Sequence, residues 1–215
     1  MKKIILPIAV LSALIISSCG GEKAEEQDNI LVPEAETCFY TYAEKSASVH
    51  WTAFKTTDKV GVGGQFNVVN AKGGEKSTKI TDVLETIVFN IPTSSTNTGD
   101  AGRDEKLKES FFGAMTATDL ILGHVKSAEG DNEKGTCTFY LTLNDIEKEV
   151  TLDYTVTDDK IKLVGEIDVT NWEAGTAVES LNKACEALHT GADGVSKTWP
   201  NVELVIEAKL NKECH

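Results

Sequence analysis

The side chains with the most chemistry to offer in this sequence are five cysteines: Cys19, Cys38, Cys137, Cys185 and Cys214. No C-x-x-C spacing occurs among them, so neither a dithiol redox motif nor a zinc ribbon is indicated. Four histidines, His50, His124, His189 and His215, lie far apart, with no pair at metal-ligand spacing. Glu85, Asp104 and Glu109 supply carboxylates with no partner base in view, and no nucleophile elbow presents a reactive serine. These patterns predict a protein without metal, cofactor or catalysis. What remains for the cysteines is acylation, disulfide formation or burial as free thiols.

Cys19 stands apart from the other four. Lys2 and Lys3 precede a mostly apolar run over residues 4–16, too short to span a bilayer comfortably. Ile16-Ser17-Ser18-Cys19 then follows, and this resembles the bacterial lipobox. Such a signal implies cleavage before Cys19 and acylation of its sulfur and new amino group. Several acyl chains, each buried methylene contributing about 0.8 kcal/mol, make a durable anchor. Residues 1–18 are thus expected to be a lipoprotein signal peptide. Residues 19–36 carry Glu22, Glu25, Glu26, Asp28, Glu34 and Glu36 with few large apolar side chains, the composition of a flexible acidic tether. Gly20 and Gly21, with no aspartate beside Cys19, resemble a sorting signal for the outer membrane. The expected location is therefore the cell envelope, lipid-anchored, with the leaflet left open.

The other four cysteines would sit in an oxidising compartment, where disulfides form. Four cysteines allow three pairings, and spacing does not choose among them. Cys38 and Cys214 flank the folded region. Cys137 lies on the apolar face of a strand and Cys185 on that of a helix, so both also fit as buried thiols.

The remaining chain, residues 37–215, has the length and composition of one domain, at 40% hydrophobic and 26% charged residues overall. Loss of Lys2 and Lys3 with the leader takes the net charge from −13 to −15. Such a surface repels nucleic acid, and Arg103 is the only arginine available for a phosphate fork.

Period-two alternation dominates. Val49, Trp51 and Ala53 alternate with Ser48, His50 and Thr52, and Cys137, Phe139, Leu141 and Leu143 alternate with threonines and Tyr140. Similar runs cover residues 62–68, 87–91, 120–126, 150–156, 161–169 and 202–210. Asn144-Asp145 and Asp158-Asp159 read as tight hairpins between runs. Two segments break the alternation: a charged helix over residues 103–112, and Val178, Leu181, Ala184, Cys185 and Leu188 at helical spacing. The expectation is all-β with minor α: an eight-stranded antiparallel barrel with two short helices, which removes sheet edges and leaves room for one small ligand. A two-sheet sandwich is the competing architecture.

The order of these elements resembles the YceI-like family of lipocalin-like barrels, over roughly residues 46–211. Ser48-Val49-His50-Trp51 with Gly-Val-Gly-Gly-Gln-Phe at 61–66 resembles its opening hairpin. Ile91-Pro92, then Arg103-Asp104-Glu105-Lys106-Leu107 and Phe111-Phe112, resemble its R-D-x-H-L…F-F segment, with Lys106 where the family usually carries histidine. Residues 141–152 resemble its L-T-L-x-G-x-T-K hairpin, with Asp145 replacing the glycine. The resemblance implies a barrel that binds polyisoprenoid or another long-chain lipid, for sequestration or transport. Lining residues would be Trp51, Phe66, Phe89, Phe139, Leu141, Leu163 and Trp172, with Phe111 and Phe112 near the mouth and Arg103, beside Asp104, contacting a head group. The alternative is a barrel filled by its own side chains, acting as a tethered interaction module of the envelope. Expected partners are thus a hydrophobic small molecule and, through Cys19, the membrane. The oligomeric state is left open.

Overall fold

The computed structural model describes residues 36–215; the leader, Cys19 and nearly all of the acidic stretch lie outside the described residues. The described chain forms β1 (Cys38–Tyr42), β2 (Ser48–Lys55), β3 (Val60–Phe66), β4 (Asn70–Lys72), β5 (Val88–Pro92), β6 (Thr96–Asn97), β7 (Leu120–Gly130), β8 (Lys134–Leu143), β9 (Ile146–Thr157), β10 (Lys160–Asp168) and β11 (Thr198–Cys214). Helices α1 (Ile80–Glu85), α2 (Ala101–Lys106), α3 (Gly175–Ala184) and α4 (Glu186–His189) are interspersed.

The strands run β4-β5-β7-β8-β9-β10-β11-β2-β3-β6 in one antiparallel sheet. Its two ends are continuations of each other. β3 runs on into β4, and β5 runs through a 3-10 turn into β6, while β3 pairs with β6 and β4 with β5. Two long bent strands therefore close the sheet on itself as an antiparallel barrel. The split of these two, together with the added β1, turns the expected eight strands into eleven segments. β1 pairs with the last five residues of β11, Cys38 opposite Cys214, and these two form a disulfide. Cys137 and Cys185 are buried and unpaired, so the other pairings left open by spacing do not form.

Local chemistry explains the register. Asn144 and Asp145 both take positive φ, as a two-residue hairpin between right-twisted strands demands, and Asn and Asp tolerate it. Alternation then sends Cys137, Phe139, Val150, Leu152, Tyr154, Ile161 and Leu163 inward and their polar neighbours outward. Helix α1 was not anticipated. It covers one end of the barrel with buried Ile80, Val83 and Leu84. Asn132 accepts a hydrogen bond from its first N–H, and Glu85 accepts one from the Ala128 N–H of β7. The two helical regions that were expected stand at the opposite end, around the second chamber, with the second broken into α3 and α4 at Cys185.

Cys137 is fully buried, and desolvation, helped by the Glu85 charge, pushes its thiol up to about 12. At pH 8 only about one molecule in ten thousand would carry the thiolate that alkylating reagents attack. Iodoacetamide is expected to leave Cys137 unmodified in the native protein and to label it within minutes in 6 M guanidinium. Rapid native labelling, read by peptide mass spectrometry, would refute this.

Candidate ligand-binding site

The barrel interior is not filled by the chain itself. At the α1 end lies a cavity of about 160 Å³ with a wholly apolar wall that includes Phe89, Phe139, Leu141, Leu163, Ala208 and Leu210. A second chamber of about 110 Å³ follows toward the other end, bounded by Trp51, Phe111, Phe112, Val178, Leu181 and Trp199. Phe66, Ile121, Leu143, Ile167 and Leu204 belong to both walls, so the two spaces adjoin. A third space of about 330 Å³ shares Trp51, Ala53, Leu107, Leu181 and Thr198 with the second and adds Lys55, Asp100, Arg103, Lys106 and His189. The sequence of chambers runs from grease to charge along the barrel. For scale, a dry apolar cavity of about 150 Å³ accepts benzene.

Glycine opposite aromatic keeps this path open. Gly64 on β3 pairs with Trp51 on β2, and Gly123 on β7 pairs with Phe89 on β5. A Cβ at Gly64 would sit 2.2 Å from the Trp51 ring, and one at Gly123 would sit 2.3 Å from the Phe89 ring. The rings therefore lie back over bare backbone instead of standing across the lumen. Phe89 and Phe139 meet edge to face at 6.0 Å.

The aromatic pair of the second chamber is placed by an unusual turn. After α2 the chain forms a π-helical segment, Leu107–Phe111, in which the Phe112 N–H donates to the Leu107 carbonyl. That five-residue step, seldom found except at functional sites, lets Leu107, Phe111 and Phe112 all line one chamber. Phe112 sits 5.1 Å from Phe111 and 6.4 Å from Phe66 between ring centres. Helix α2 itself is fixed at its start. Asp100 accepts the Arg103 N–H, and Asp104 accepts from the Thr98 N–H and hydroxyl at 2.8 and 2.6 Å. Asp104 is thereby engaged within the protein, whereas the Arg103 side chain is exposed on the wall of the third space.

The lining of the third space carries Lys55, Arg103 and Lys106 against one carboxylate, Asp100. The Lys55 ammonium donates to the Leu188 carbonyl at 3.1 Å. The Arg103 N–H bond, then the Arg103 and Lys106 charges, hold the Asp100 carboxyl below its ordinary value. Burial, then repulsion from Lys55 and Lys106, lowers the His189 imidazole, which stays neutral at pH 7. Thr198 donates its hydroxyl proton to Asn182 at 2.9 Å, so the 2.6 Å contact from His189 is an Nδ1–H donation to Thr198.

Eight of the nine aromatic and leucine positions read from the sequence line the first two chambers: Trp51, Phe66, Phe89, Phe111, Phe112, Phe139, Leu141 and Leu163. Trp172 does not. It ends the 3-10 turn that follows β10, is 1% exposed, and its indole N–H donates to the Leu141 carbonyl at 2.9 Å. It is structural core, because the chain leaves the barrel wall at Asp168 and its strand alternation stops there. The sequence reading missed the lining contributed by Tyr42, Val83, Leu84 and Trp199. For two of these a signal existed: Ile80, Val83, Leu84 and Ile87 recur at one-face helical spacing.

A family model of the YceI-like domain matches residues 40–210. No curated protein matches. Among solved structures, a polyisoprenoid binding domain from Saccharophagus degradans implicated in plant cell wall breakdown is similar at 14% identity and a TM-score of 0.55, over 79% of this chain and 98% of that one. Burkholderia cenocepacia BcnA is similar at 14% identity and a TM-score of 0.55, over 77% of this chain and 96% of that one. At such identity the likeness is one of fold.

Proposed function

This chain belongs to the YceI-like family, and from that premise we propose that it takes up a long-chain hydrophobic ligand, an isoprenoid or fatty-acid-like lipid, for sequestration or transport. The observation that carries this reading is the unfilled, wholly apolar inner chamber continuing into a second. A hydrocarbon entering it leaves water at about 25 cal/mol per Å² of apolar surface, and no covalent step is needed. That the Saccharophagus degradans relative is a polyisoprenoid binding domain accords with it. The alternative of an interaction module with a filled barrel loses its footing where the lumen stays open. In the same proposal, acylated Cys19 holds the barrel at the outer membrane by way of the acidic stretch, within reach of the lipids it would carry.

Native mass spectrometry of the full chain purified from membranes tests both parts. We expect a stoichiometric non-covalent lipid, and a covalent mass on Cys19 equal to its acyl groups. Repeated absence of any bound lipid in gentle detergent would overturn the carrier reading. An unmodified Cys19 would overturn the anchor alone.

A further inference from the structure

The α1 end of the inner chamber is closed in part by a strand that does not belong to the barrel circuit. β10 pairs with β11 only as far as Lys209, and β2 only as far as Glu207, so the last five residues of β11 pair with β1 alone. Tyr42 of β1, opposite Leu210, is part of the chamber wall, and Tyr40 joins Ile80 and Val83 of α1 in the core. The other edge of β1 is held by three backbone bonds. The Tyr40 N–H donates to the Ser77 carbonyl at 2.8 Å, the Ser77 N–H to the Tyr40 carbonyl at 3.1 Å, and the Tyr42 N–H to the Gly74 carbonyl at 3.1 Å. Closure leaves one polar group unmet: the Tyr42 hydroxyl is buried without a hydrogen-bond partner among the described residues, a state that contact with water relieves. Against this stands a single covalent link. Cys38, the first residue of β1, is bonded to Cys214, and both are half-buried, whereas Cys137 and Cys185 lie in the interior.

We propose that β1 is a redox-clasped strap. With the Cys38–Cys214 bond made, the inner chamber is shut at the α1 end; reduction lets β1 swing aside and gives a hydrocarbon ligand a second way in and out, opposite the third space. This rests on the carrier reading and adds a control to it. The reductant is a dithiol. One of its thiolates attacks the sulfur of Cys38 or Cys214, and the other sulfur of the pair leaves as a thiolate and takes up a proton. The donor's second thiol then resolves the mixed disulfide. Two electrons and two protons pass in all, the donor ends as a disulfide and the clasp as two thiols. The opening is local, because the strands that form the barrel keep their own pairing when β1 leaves β11.

The test loads the delipidated full chain with palmitate and follows its transfer to phosphatidylcholine vesicles, with the clasp intact and after treatment with dithiothreitol. Reduction is expected to speed transfer by roughly tenfold or more. The Cys38→Ser/Cys214→Ser variant should transfer at the fast rate with or without the reagent. Hydrogen exchange of the unmodified chain supplies a readout independent of any variant's folding. On reduction the amides of Tyr40, Tyr42 and Ser77 should lose roughly tenfold or more in protection, while those of Phe139, Val150 and Ile161 keep theirs. Equal transfer rates before and after reduction overturn the inference and leave the carrier reading standing. Protection lost evenly over β1 and the barrel strands also overturns it, since the bond would then steady the whole fold and not a strap. Failure of palmitate to bind in either redox state overturns the carrier reading, and this inference with it.

Discussion

Alanine in place of Trp172 is expected to lower the stability of the barrel by about 4 kcal/mol, the middle of the range for deleting a buried indole. Trp172 is 1% exposed and packs in the main core. Its removal also strips the Leu141 carbonyl of its 2.9 Å indole donor and loosens the carbonyl of residue 172, which accepts from Asn144 at 2.8 Å. These bonds tie the β8–β9 hairpin to the segment leading into α3, so the damage concentrates where the helical end meets the wall. For a domain of this size the melting temperature should fall by roughly 10 °C. Trp172→Phe, which keeps much of the ring volume but not the N–H, should lose far less. Thermal unfolding by circular dichroism measures both, and a loss below about 1 kcal/mol for the alanine variant would refute the assignment of Trp172 to structure.

The largest effect on binding should come from Ala208→Trp. Ala208 lies on β11 beside Ile161 of β10 and faces the inner chamber. An indole projecting from it occupies the 160 Å³ that a hydrocarbon tail would use. Overpacking normally costs about 1–3 kcal/mol, but here the new ring enters empty space, so the melting temperature should change little. Palmitate affinity is expected to fall more than a hundredfold. Val205→Trp, three residues earlier on the same strand and outside every chamber wall, is the matched control and should bind normally. Undiminished palmitate binding by a folded Ala208→Trp protein would mean that the ligand sits elsewhere.

Most of the wall was legible in the sequence, because a barrel with one wet and one greasy face writes itself as alternation. Cys137, Phe139, Leu141 and Leu143 could have adopted no other pattern in a half-buried strand. β1 was not legible: Cys-Phe-Tyr-Thr-Tyr has no clear polar face, and its pairing with the far end of a 17-residue β11 is a long-range event. Helix α1 was obscured by its length of six residues and by Ile80, Thr81 and Val83, whose branched side chains read as strand. At the site, the aromatic lining could be read strand by strand, but its depth could not. Trp172 illustrates the limit, since inward-facing says nothing of whether a side chain meets a lumen or other side chains. The mouth was least legible. Lys55 is distant in sequence from Arg103 and Lys106, and only closure of the barrel brings them to one space. Arg103 alone stood out, as the sole guanidinium in the chain.

Under the anchoring proposed above, which would hold the domain by its N-terminal side, the Cys38–Cys214 bond has a mechanical meaning. Tension arriving through the residues before Cys38 would reach the domain at one end of β1, where antiparallel pairing with β11 can be unzipped one hydrogen-bonded rung at a time. The first rung is the covalent one. A tug is therefore passed straight into the longest strand of the barrel, which is flanked by β10 and β2 and must be sheared rather than peeled. The oxidised domain can be pulled without fraying, and reduction would turn that seam into its weakest line.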